Sequence, residues 1–157
     1  MRLQNKIALV TGAGSGFGRG IATRFAQEGA KVVIADINEQ TAKKVARDIG
    51  DSAIAVVADV SENSDVEAMI QQTVAQWGRL DILVNNAGTT HRNKPMTEVT
   101  EEEFDRIFAV NVKSVFLTAR HGVPLMKVQG HGMILNVAST AGLRPRPGLA
   151  WYNTSKG

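Results

Sequence analysis

The 157-residue sequence contains no cysteine, and this absence excludes several kinds of chemistry. Without a thiol there is no disulfide, no thiolate metal site and no cysteine nucleophile. The three histidines, His91, His121 and His131, lie far apart and show no metal-ligand spacing such as H-E-x-x-H. The sequence therefore predicts no metal site.

Long apolar runs and blocks of like charge are also missing. No apolar stretch approaches the roughly 18 residues of a membrane span, and the first residues, 1–6, lack the apolar segment of a signal peptide. The formal net charge of +3 comes from 18 basic and 15 acidic residues, with no block of five like charges. We therefore expect a cytoplasmic protein that binds neither nucleic acid nor membrane.

The composition is that of an ordinary globular protein of one domain, with 43% apolar and 21% charged residues. Short apolar runs alternate with segments of helical periodicity. This alternation predicts an α/β fold, a doubly wound parallel sheet with helices on both faces, formed by residues 1–157 as one domain. The predicted strands are Ile7–Val10, Lys31–Ala35, Ala53–Ala58, Leu80–Val84 and Gly132–Ala138.

The helix boundaries follow from capping residues. A helix is predicted from Asn38 to Ile49 with Gly50 beyond its end, and Ser61 is predicted to cap a helix that runs to Gln76 or Trp77. Thr100 and Glu103 have the form of a capping box. They predict one long helix that continues to Ala119 and includes Asn111. A further helix is predicted from Ala150 onward.

A glycine-rich segment, Thr11-Gly12-Ala13-Gly14-Ser15-Gly16-Phe17-Gly18, follows the first predicted strand and opens the first helix. Such a turn lets the backbone approach a pyrophosphate closely, and the helix N-terminus presents free N–H groups to the anion. Glycine-rich turns are common, however, and most bind nothing. Asp36 strengthens the interpretation, because a carboxylate about 20 residues further on accepts hydrogen bonds from ribose hydroxyls and favours NAD over NADP.

Polar residues or glycines follow all five predicted strands, where the carboxyl ends of parallel strands form the ligand-binding edge of the sheet. Besides the glycine turn and Asp36, these are Asp59, Asn85 to Gly88, and Ser139. Each has an alternative explanation as a turn, cap or loop residue. Their coincidence at one edge favours a binding site, and with the glycine turn and Asp36 it predicts that residues 1–157 form one dinucleotide-binding domain of Rossmann type.

Tyr152 and Lys156 are four residues apart, so a helix from Ala150 would place their side chains on one face. A phenol is about three pKa units too weak a base for neutral pH, which corresponds to about 4 kcal/mol. A positive charge about 4 Å away contributes on the order of 4 kcal/mol at an effective dielectric constant near 20. Taken alone, the pair is better explained as two residues on a helix surface.

The joint pattern resembles the short form of the short-chain dehydrogenase/reductase family. The resemblance rests on T-G-x-x-x-G-x-G at 11–18, N-N-A-G at 85–88, Asn111, Ser139 and Y-x-x-x-K at 152–156, in the family's order and spacing. It covers the whole chain. It implies hydride transfer between a nicotinamide coenzyme and a carbonyl or alcohol carbon.

The resemblance also implies a role for each residue. Tyr152 would be the general acid or base and Ser139 would orient the substrate oxygen. Lys156 would favour ionisation of the phenol and bind the nicotinamide ribose, and Asn111 would hold a water of a proton relay. The cofactor would be bound by Gly12, Ser15, Gly16, Phe17, Gly18, Asp36, Ile37, Asp59, Val60, Asn86, Ala87 and Gly88, together with Tyr152 and Lys156.

Family members that prefer NADP(H) tend to carry a basic residue where this chain has Ser15 or Ile37. The resemblance thus implies NAD(H) as the cofactor and a small alcohol or carbonyl compound as the substrate, with a secondary alcohol or ketone as the leading choice. One alternative is an NADPH-dependent 3-oxoacyl-acyl-carrier-protein reductase. An alternative from another class is a non-catalytic dinucleotide-binding module or an inactive fragment.

The resemblance breaks at the end of the chain. Family members usually have seven strands, and five are predicted here, so we expect the function to belong to a longer chain. The fifth strand would then be an exposed apolar edge. Family members are commonly homotetramers, and the intact protein is expected to be one. Arg144 and Arg146 either grip an anionic substrate or acyl carrier, or simply face solvent.

Overall fold

The computed structural model describes all 157 residues and contains one five-stranded parallel sheet. The strand order is β3-β2-β1-β4-β5, and all four pairings are parallel. The order reverses between β1 and β4, where α/β sheets bind ligands. The predicted doubly wound fold is confirmed. The strands are β1 (Ile7–Thr11), β2 (Lys31–Asp36), β3 (Ala53–Val57), β4 (Ile82–Asn85) and β5 (Met133–Asn136).

The chain forms six α-helices: α1 (Gly16–Gln27), α2 (Glu39–Ile49), α3 (Asn63–Trp77), α4 (Glu101–Phe108), α5 (Ser114–Gln129) and α6 (Ala150–Thr154). A π-helical turn, Ala109–Lys113, joins α4 to α5. Short 3₁₀ turns lie at Met96–Glu98 and Thr140–Gly142. None of the helices is both long and apolar enough to cross a bilayer.

The core has two apolar layers, one on each face of the sheet. Along β1, Ala8 and Val10 pack in the layer that includes Ala22 of α1, whereas Leu9 packs in the layer that includes Met69 of α3. Successive side chains of a strand point to opposite faces, so a strand covered on both faces must be apolar at consecutive positions. This explains the uninterrupted apolar runs in the sequence.

Most of the predicted helix ends are confirmed. Asn38 accepts a hydrogen bond from the backbone of Thr41 at the start of α2, and both hydrogen bonds of the Thr100–Glu103 capping box are present. Gly50 and Gly78 follow α2 and α3 with positive φ angles of 88° and 79°. These positions suit glycine because other residues are strained there.

Two predictions about the helices are wrong. Ser61 does not cap α3, which begins at Asn63 after Glu62. Ser61 instead donates hydrogen bonds to Asp59 Oδ1 from both its backbone N–H and its hydroxyl. The long helix predicted from Thr100 is interrupted by the π-helical turn, so Asn111 lies in that turn. A single added residue in the helical register leaves the apolar periodicity nearly intact, which hides the interruption in the sequence.

The strand β5 forms one edge of the sheet, as expected, with Met133 and Leu135 exposed. Its single neighbour in the sheet, β4, is wholly buried. In the sequence, strands of a parallel sheet are normally continuous apolar runs, because both faces of the sheet are covered. The exposed side chains of β5 therefore mark an uncovered apolar edge.

Candidate active site

The glycine turn folds over the carboxyl end of β1 and leads into α1. Gly12 has a φ angle of +61°, a conformation that favours glycine. A Cβ atom at Gly18 would lie 2.3 Å from the carbonyl oxygen of Gly12, closer than real Cβ contacts. The two glycines therefore allow the first turn of α1 to pack against the end of β1.

Asn86 and Thr11 hold this turn in place. The Asn86 side-chain nitrogen, Nδ2, donates to the carbonyl oxygens of Thr11 at 2.8 Å and Gly12 at 3.2 Å. The Thr11 hydroxyl in turn accepts from the backbone N–H groups of Asn86 and Ala87. The loop after β4 is thus fastened to the loop after β1 by hydrogen bonds within the protein.

Asp36, the last residue of β2, faces the same turn. Its Oδ2 accepts from the backbone N–H of Gly14 at 2.9 Å, and its Oδ1 accepts from that of Asn38 at 2.9 Å. Each carboxylate oxygen can accept more than one hydrogen bond, so both retain capacity for a ligand hydroxyl. Gly14 was not predicted as a site residue, although a Cβ there would meet Thr41 Oγ1 at 2.4 Å and Asp36 Oδ2 at 2.9 Å.

A cavity of about 600 Å³ lies along these loops at the carboxyl edge of the sheet. It is lined by eleven of the twelve cofactor residues predicted from the loops after β1, β2, β3 and β4. Gly18 is the exception, because it is buried against Gly12 and Asn86. The lining also includes Ala58, Ser61, Thr89, Arg106, Ala109 and Val110, which sequence reasoning missed. Nothing in a helical pattern distinguishes Arg106 from an ordinary surface cation.

A second cavity, of about 320 Å³, brings together Ser139, Tyr152 and Lys156. It shares Phe17, Asn86, Gly88 and Thr89 with the larger cavity, so the two adjoin. Ser139 follows β5, and its hydroxyl oxygen accepts a hydrogen bond from the backbone of Ala141 at 3.1 Å. The other lining residues are Thr90, Val137 and Ala138.

Lys156 does not lie in the same helix as Tyr152, and the predicted helical pair is wrong in this respect. Helix α6 ends at Thr154, and the backbone N–H of Lys156 bonds to Asn153 three residues back, the tighter spacing of a 3₁₀ turn. The Lys156 ammonium donates to the carbonyl oxygen of Val137 at 3.2 Å. A Cβ on Gly88 would lie 3.5 Å from Lys156 Nζ, so this ammonium reaches the boundary of the two cavities.

Asn111 is buried and makes three hydrogen bonds within the protein. Its Oδ1 accepts from the backbone N–H of Thr89 at 2.8 Å, and its Nδ2 donates to the carbonyl oxygen of Thr89 at 2.9 Å and to Ser155 Oγ at 2.8 Å. Asn111 therefore connects the loop after β4 to the residue before Lys156. Its predicted role of holding a relay water stays a prediction.

Charge is distributed unevenly along the two cavities. The carboxylates of Asp36 and Asp59 lie in the large cavity, and Asp59 is oriented by hydrogen bonds from Ser61. The small cavity contains no carboxylate, and Lys156 is its charged residue. A ligand that fills both cavities would place hydroxyl donors at the acidic end and its reacting group near the ammonium.

The strand order, the glycine turn at the point of reversal and the carboxylate after β2 define a Rossmann-type α/β protein. Residues 6–157 match the family described as short chain dehydrogenase. The chain belongs to this family.

Relatives and solved structures agree with this assignment. The chain is 50% identical over 159 aligned residues to 4-formylbenzenesulfonate dehydrogenase of Comamonas testosteroni, covering 99% of this chain and 63% of that protein. It superimposes with a TM-score of 0.96 on the 3-ketoacyl-(acyl-carrier-protein) reductase of Brucella melitensis complexed with NADH, at 52% identity over 99% of this chain and 65% of that one. An NAD⁺-bound xylitol dehydrogenase gives a TM-score of 0.95 at 32% identity, over 100% and 62% of the respective chains. The chain thus spans less than two thirds of these proteins.

Proposed function

We propose that the protein is an NAD(H)-dependent oxidoreductase that interconverts a secondary alcohol and a ketone. The observation that carries this proposal is the convergence of Ser139, Tyr152 and Lys156 on one cavity that adjoins the glycine-turn cavity. Cofactor binding alone has no use for the serine hydroxyl of Ser139 at that place. A reaction at a substrate oxygen requires both a proton donor and a group that orients the oxygen.

The residues of the large cavity fit a dinucleotide. The N-terminus of α1 and its glycine turn offer backbone N–H groups to a pyrophosphate, and Asp36 offers carboxylate oxygens to ribose hydroxyls. Lys156, at the boundary with the small cavity, would bind the second ribose. When bound, the nicotinamide accepts or supplies the hydride.

Asp36 supports a preference for NAD(H) over NADP(H). Its carboxylate is fixed by the backbone N–H groups of Gly14 and Asn38, so it cannot turn away easily from an added 2'-phosphate. No basic residue replaces Ser15 or Ile37 to neutralise such a phosphate. The repulsion between two like unit charges about 4 Å apart raises the free energy of binding by about 1 kcal/mol or more.

Proton transfer to and from the substrate oxygen is assigned to Tyr152. In the reductive direction its hydroxyl donates the proton to the carbonyl oxygen of the substrate, and in the oxidative direction the phenolate accepts it from the alcohol. The ammonium of Lys156 lies in the same cavity and stabilises the phenolate by its positive charge. Ser139 hydrogen-bonds to the substrate oxygen and fixes its position.

The names of the relatives indicate which classes of substrate to consider. Their names include a sorbitol dehydrogenase, a galactitol 2-dehydrogenase and a 3-oxoacyl-[acyl-carrier-protein] reductase. Oxidation of an alcohol or reduction of a carbonyl group is common to these names. An NADPH-dependent reductase of acyl-carrier substrates is the second candidate, but Asp36 disfavours its coenzyme.

The proposal extends to the assembly of the whole protein as a homotetramer. Val112 in the π-helical turn and Phe116 in α5 are exposed, with 44% and 59% of their surface accessible, and lie on one side of this helical segment. An exposed apolar strip of this kind favours burial against a second copy. Light scattering after size-exclusion chromatography of the intact protein tests this part.

Hydride transfer is tested by the absorbance of NADH at 340 nm with a panel of alcohols and ketones and each coenzyme. We expect turnover with NAD(H), and Tyr152→Phe should lower kcat at least about 100-fold while NADH binding persists, because general acid–base catalysis contributes about 10² to 10⁴. Thr154→Val, which removes another hydroxyl from α6 outside the cavity, is the matched control. Undiminished turnover of Tyr152→Phe would contradict the mechanism and favour a non-catalytic binding module.

A further inference from the structure

The two loops that border the small cavity carry positive charge and no carboxylate. No aspartate or glutamate occurs between Asp81 and Glu98, a segment that contains Arg92 and Lys94. None occurs after Asp105, although residues 106–157 include seven lysines and arginines. The cations near the cavity are therefore not balanced by acidic neighbours in their own segments.

The structure joins these two loops to each other. The backbone N–H of Lys94 donates to the carbonyl oxygen of Gly148 at 3.1 Å, and Asn93 Nδ2 donates to that of Pro147 at 2.7 Å. A Cβ on Gly148 would lie 2.0 Å from Asn93 Oδ1, so the loops are in close contact. Segments that are distant in sequence thus form one surface.

The joined loops are also fastened to the catalytic elements. The side chain of Asn153, next to Tyr152, accepts from the backbone N–H of Arg146 at 3.3 Å and donates to its carbonyl oxygen at 3.0 Å. The backbone N–H of Arg144 donates to the carbonyl oxygen of Thr140, the residue after Ser139, at 2.7 Å. Both arginines therefore have a fixed backbone beside the site.

Arg92 lies in the other loop, two residues after Thr90, which lines the small cavity. We name Arg92, Arg144 and Arg146 the basic rim. All three are exposed, and none has a carboxylate within 4 Å, whereas Lys94 pairs with Glu103 at 2.6 Å. Lys156 is the charged residue inside the cavity, so the basic rim adds positive charge to a site whose own lining has no carboxylate.

We infer that the substrate carries an anionic group, a carboxylate or sulfonate, which the basic rim binds while the carbonyl group lies at Ser139 and Tyr152. This inference rests on the proposed function and specifies its substrate class. Guanidinium groups suit this task because their planar donors match a carboxylate or sulfonate with two parallel hydrogen bonds. The rim also increases the rate at which an anion reaches the cavity.

The inference is tested with two ketones of equal shape, 4-acetylbenzoate and the neutral 4-acetylbenzamide. Binding of each to the intact protein loaded with NAD⁺ is measured by calorimetry, because this complex holds no hydride and binding does not depend on turnover. Reduction by NADH is then measured at 340 nm. We expect the anion to bind at least tenfold more tightly and to show the higher kcat/KM.

Arg144→Ala and Arg146→Ala should each weaken binding of 4-acetylbenzoate about fivefold or more and leave 4-acetylbenzamide unchanged. Lys127→Ala removes an exposed cation from α5 and is the matched control. High salt should reduce the preference, because the Debye length falls from about 10 Å at 0.1 M to about 3 Å at 1 M. Equal binding of the two ketones, no binding of the anion, or equal effects of the variants on both ketones overturns the inference.

Failure of this inference is distinguishable from failure of the proposed function. A protein that does not bind NAD⁺, or that reduces no ketone of the panel with NADH, contradicts the proposed function. A protein that reduces neutral ketones as well as anionic ones retains that function without the anionic substrate class. If the rim variants affect a carrier-protein-bound 3-oxoacyl substrate and not 4-acetylbenzoate, the rim binds an acidic protein and the small-anion assignment is wrong.

Discussion

Asn111 Nδ2 donates a hydrogen bond to Ser155 Oγ at 2.8 Å and so connects the π-helical turn to the residue that precedes Lys156. The same amide makes two hydrogen bonds to the backbone of Thr89, which lines both cavities. One buried side chain thus sets the relative positions of three segments of the candidate site. These three hydrogen bonds give Asn111 a structural role in the site.

Asn111→Leu removes all three hydrogen bonds and leaves their partners without a replacement. Because each unsatisfied buried polar group costs about 1 to 3 kcal/mol, we expect the free energy of unfolding to fall by about 2 kcal/mol or more in urea titrations. Ser155→Ala removes one of the three hydrogen bonds and should cost about 1 kcal/mol. An Asn111→Leu protein as stable as Ser155→Ala would contradict this account.

Asp36→Asn should shift the coenzyme preference toward NADP(H). The substitution removes the negative charge that repels a 2'-phosphate and keeps an acceptor for one of the two backbone N–H groups. We expect the ratio of kcat/KM for NADH to that for NADPH to fall at least about fivefold, the equivalent of about 1 kcal/mol. Asp51→Asn removes an exposed carboxylate outside the cavity and should leave the ratio unchanged. An unaltered ratio in Asp36→Asn would show that another feature sets the preference.

Two glycines of α1 are expected to respond in opposite directions to substitution by alanine. A Cβ at Gly18 would lie 2.3 Å from the Gly12 carbonyl oxygen, a backbone atom that cannot move without deforming the turn. Gly18→Ala should therefore lower the melting temperature and weaken NADH binding more than about tenfold. Gly20 has no atom within 4 Å of such a Cβ. Gly20→Ala should raise the free energy of unfolding by about 0.5 to 1 kcal/mol.

The same two measurements, thermal unfolding and NADH titration, serve both variants. If Gly18→Ala and Gly20→Ala destabilise the protein equally, close packing is not the reason that position 18 requires glycine. If Gly18→Ala binds NADH normally, the glycine turn does not shape the coenzyme site.

Asp81 should make stability depend on acid pH. Burial raises the pKa of Asp81, but hydrogen bonds from the Ile7 backbone and His131, with the positive charges of Arg79 and Lys6, outweigh it and hold the pKa below its ordinary value of 3.8. A lowered pKa in the folded state contributes stability above 3.8, and this stability is lost as the pH falls through the folded value. The melting temperature should therefore fall as the pH is lowered from 6 to 3, and we call this fall the acid limb. Asp81→Asn should make the acid limb smaller.

Asp48 is the matched control for Asp81. The hydrogen bond from Lys44 also lowers the pKa of Asp48, but the carboxylate is fully exposed on α2. Exposed pairs are screened by salt, so Asp48→Asn should have little effect on the acid limb at 0.5 M NaCl. If the acid limb of the unsubstituted protein disappears at 0.5 M NaCl, surface charges cause it, and our prediction for Asp81 is wrong.

The sequence predicted the sheet and the ligand-binding edge because both depend on local signals. Continuous apolar runs arise from strands that are covered on both faces, and the glycine turn and Asp36 occupy strand ends that the fold brings together. The helix caps at Asn38 and Thr100 were likewise predictable, since a cap involves residues only three apart.

One failure is local and the others concern interactions between distant segments. Ser61 is only two residues from Asp59, and its backbone N–H and hydroxyl donate to that carboxylate while α3 begins later, after Glu62. The π-helical turn at Asn111 coincides with hydrogen bonds to Thr89 and Ser155, 22 and 44 residues away. The close contact between Asn93 and Gly148 has no signature in either loop. Such contacts are specified by the tertiary structure as a whole.

The amide of Asn86 donates to the carbonyl oxygens of Thr11 and Gly12, and so joins the loop after β4 to the glycine turn after β1. Loops that are held by hydrogen bonds within the protein lose less conformational entropy when a ligand binds, which favours affinity. A side chain that need not touch the coenzyme therefore contributes to how tightly the coenzyme is bound.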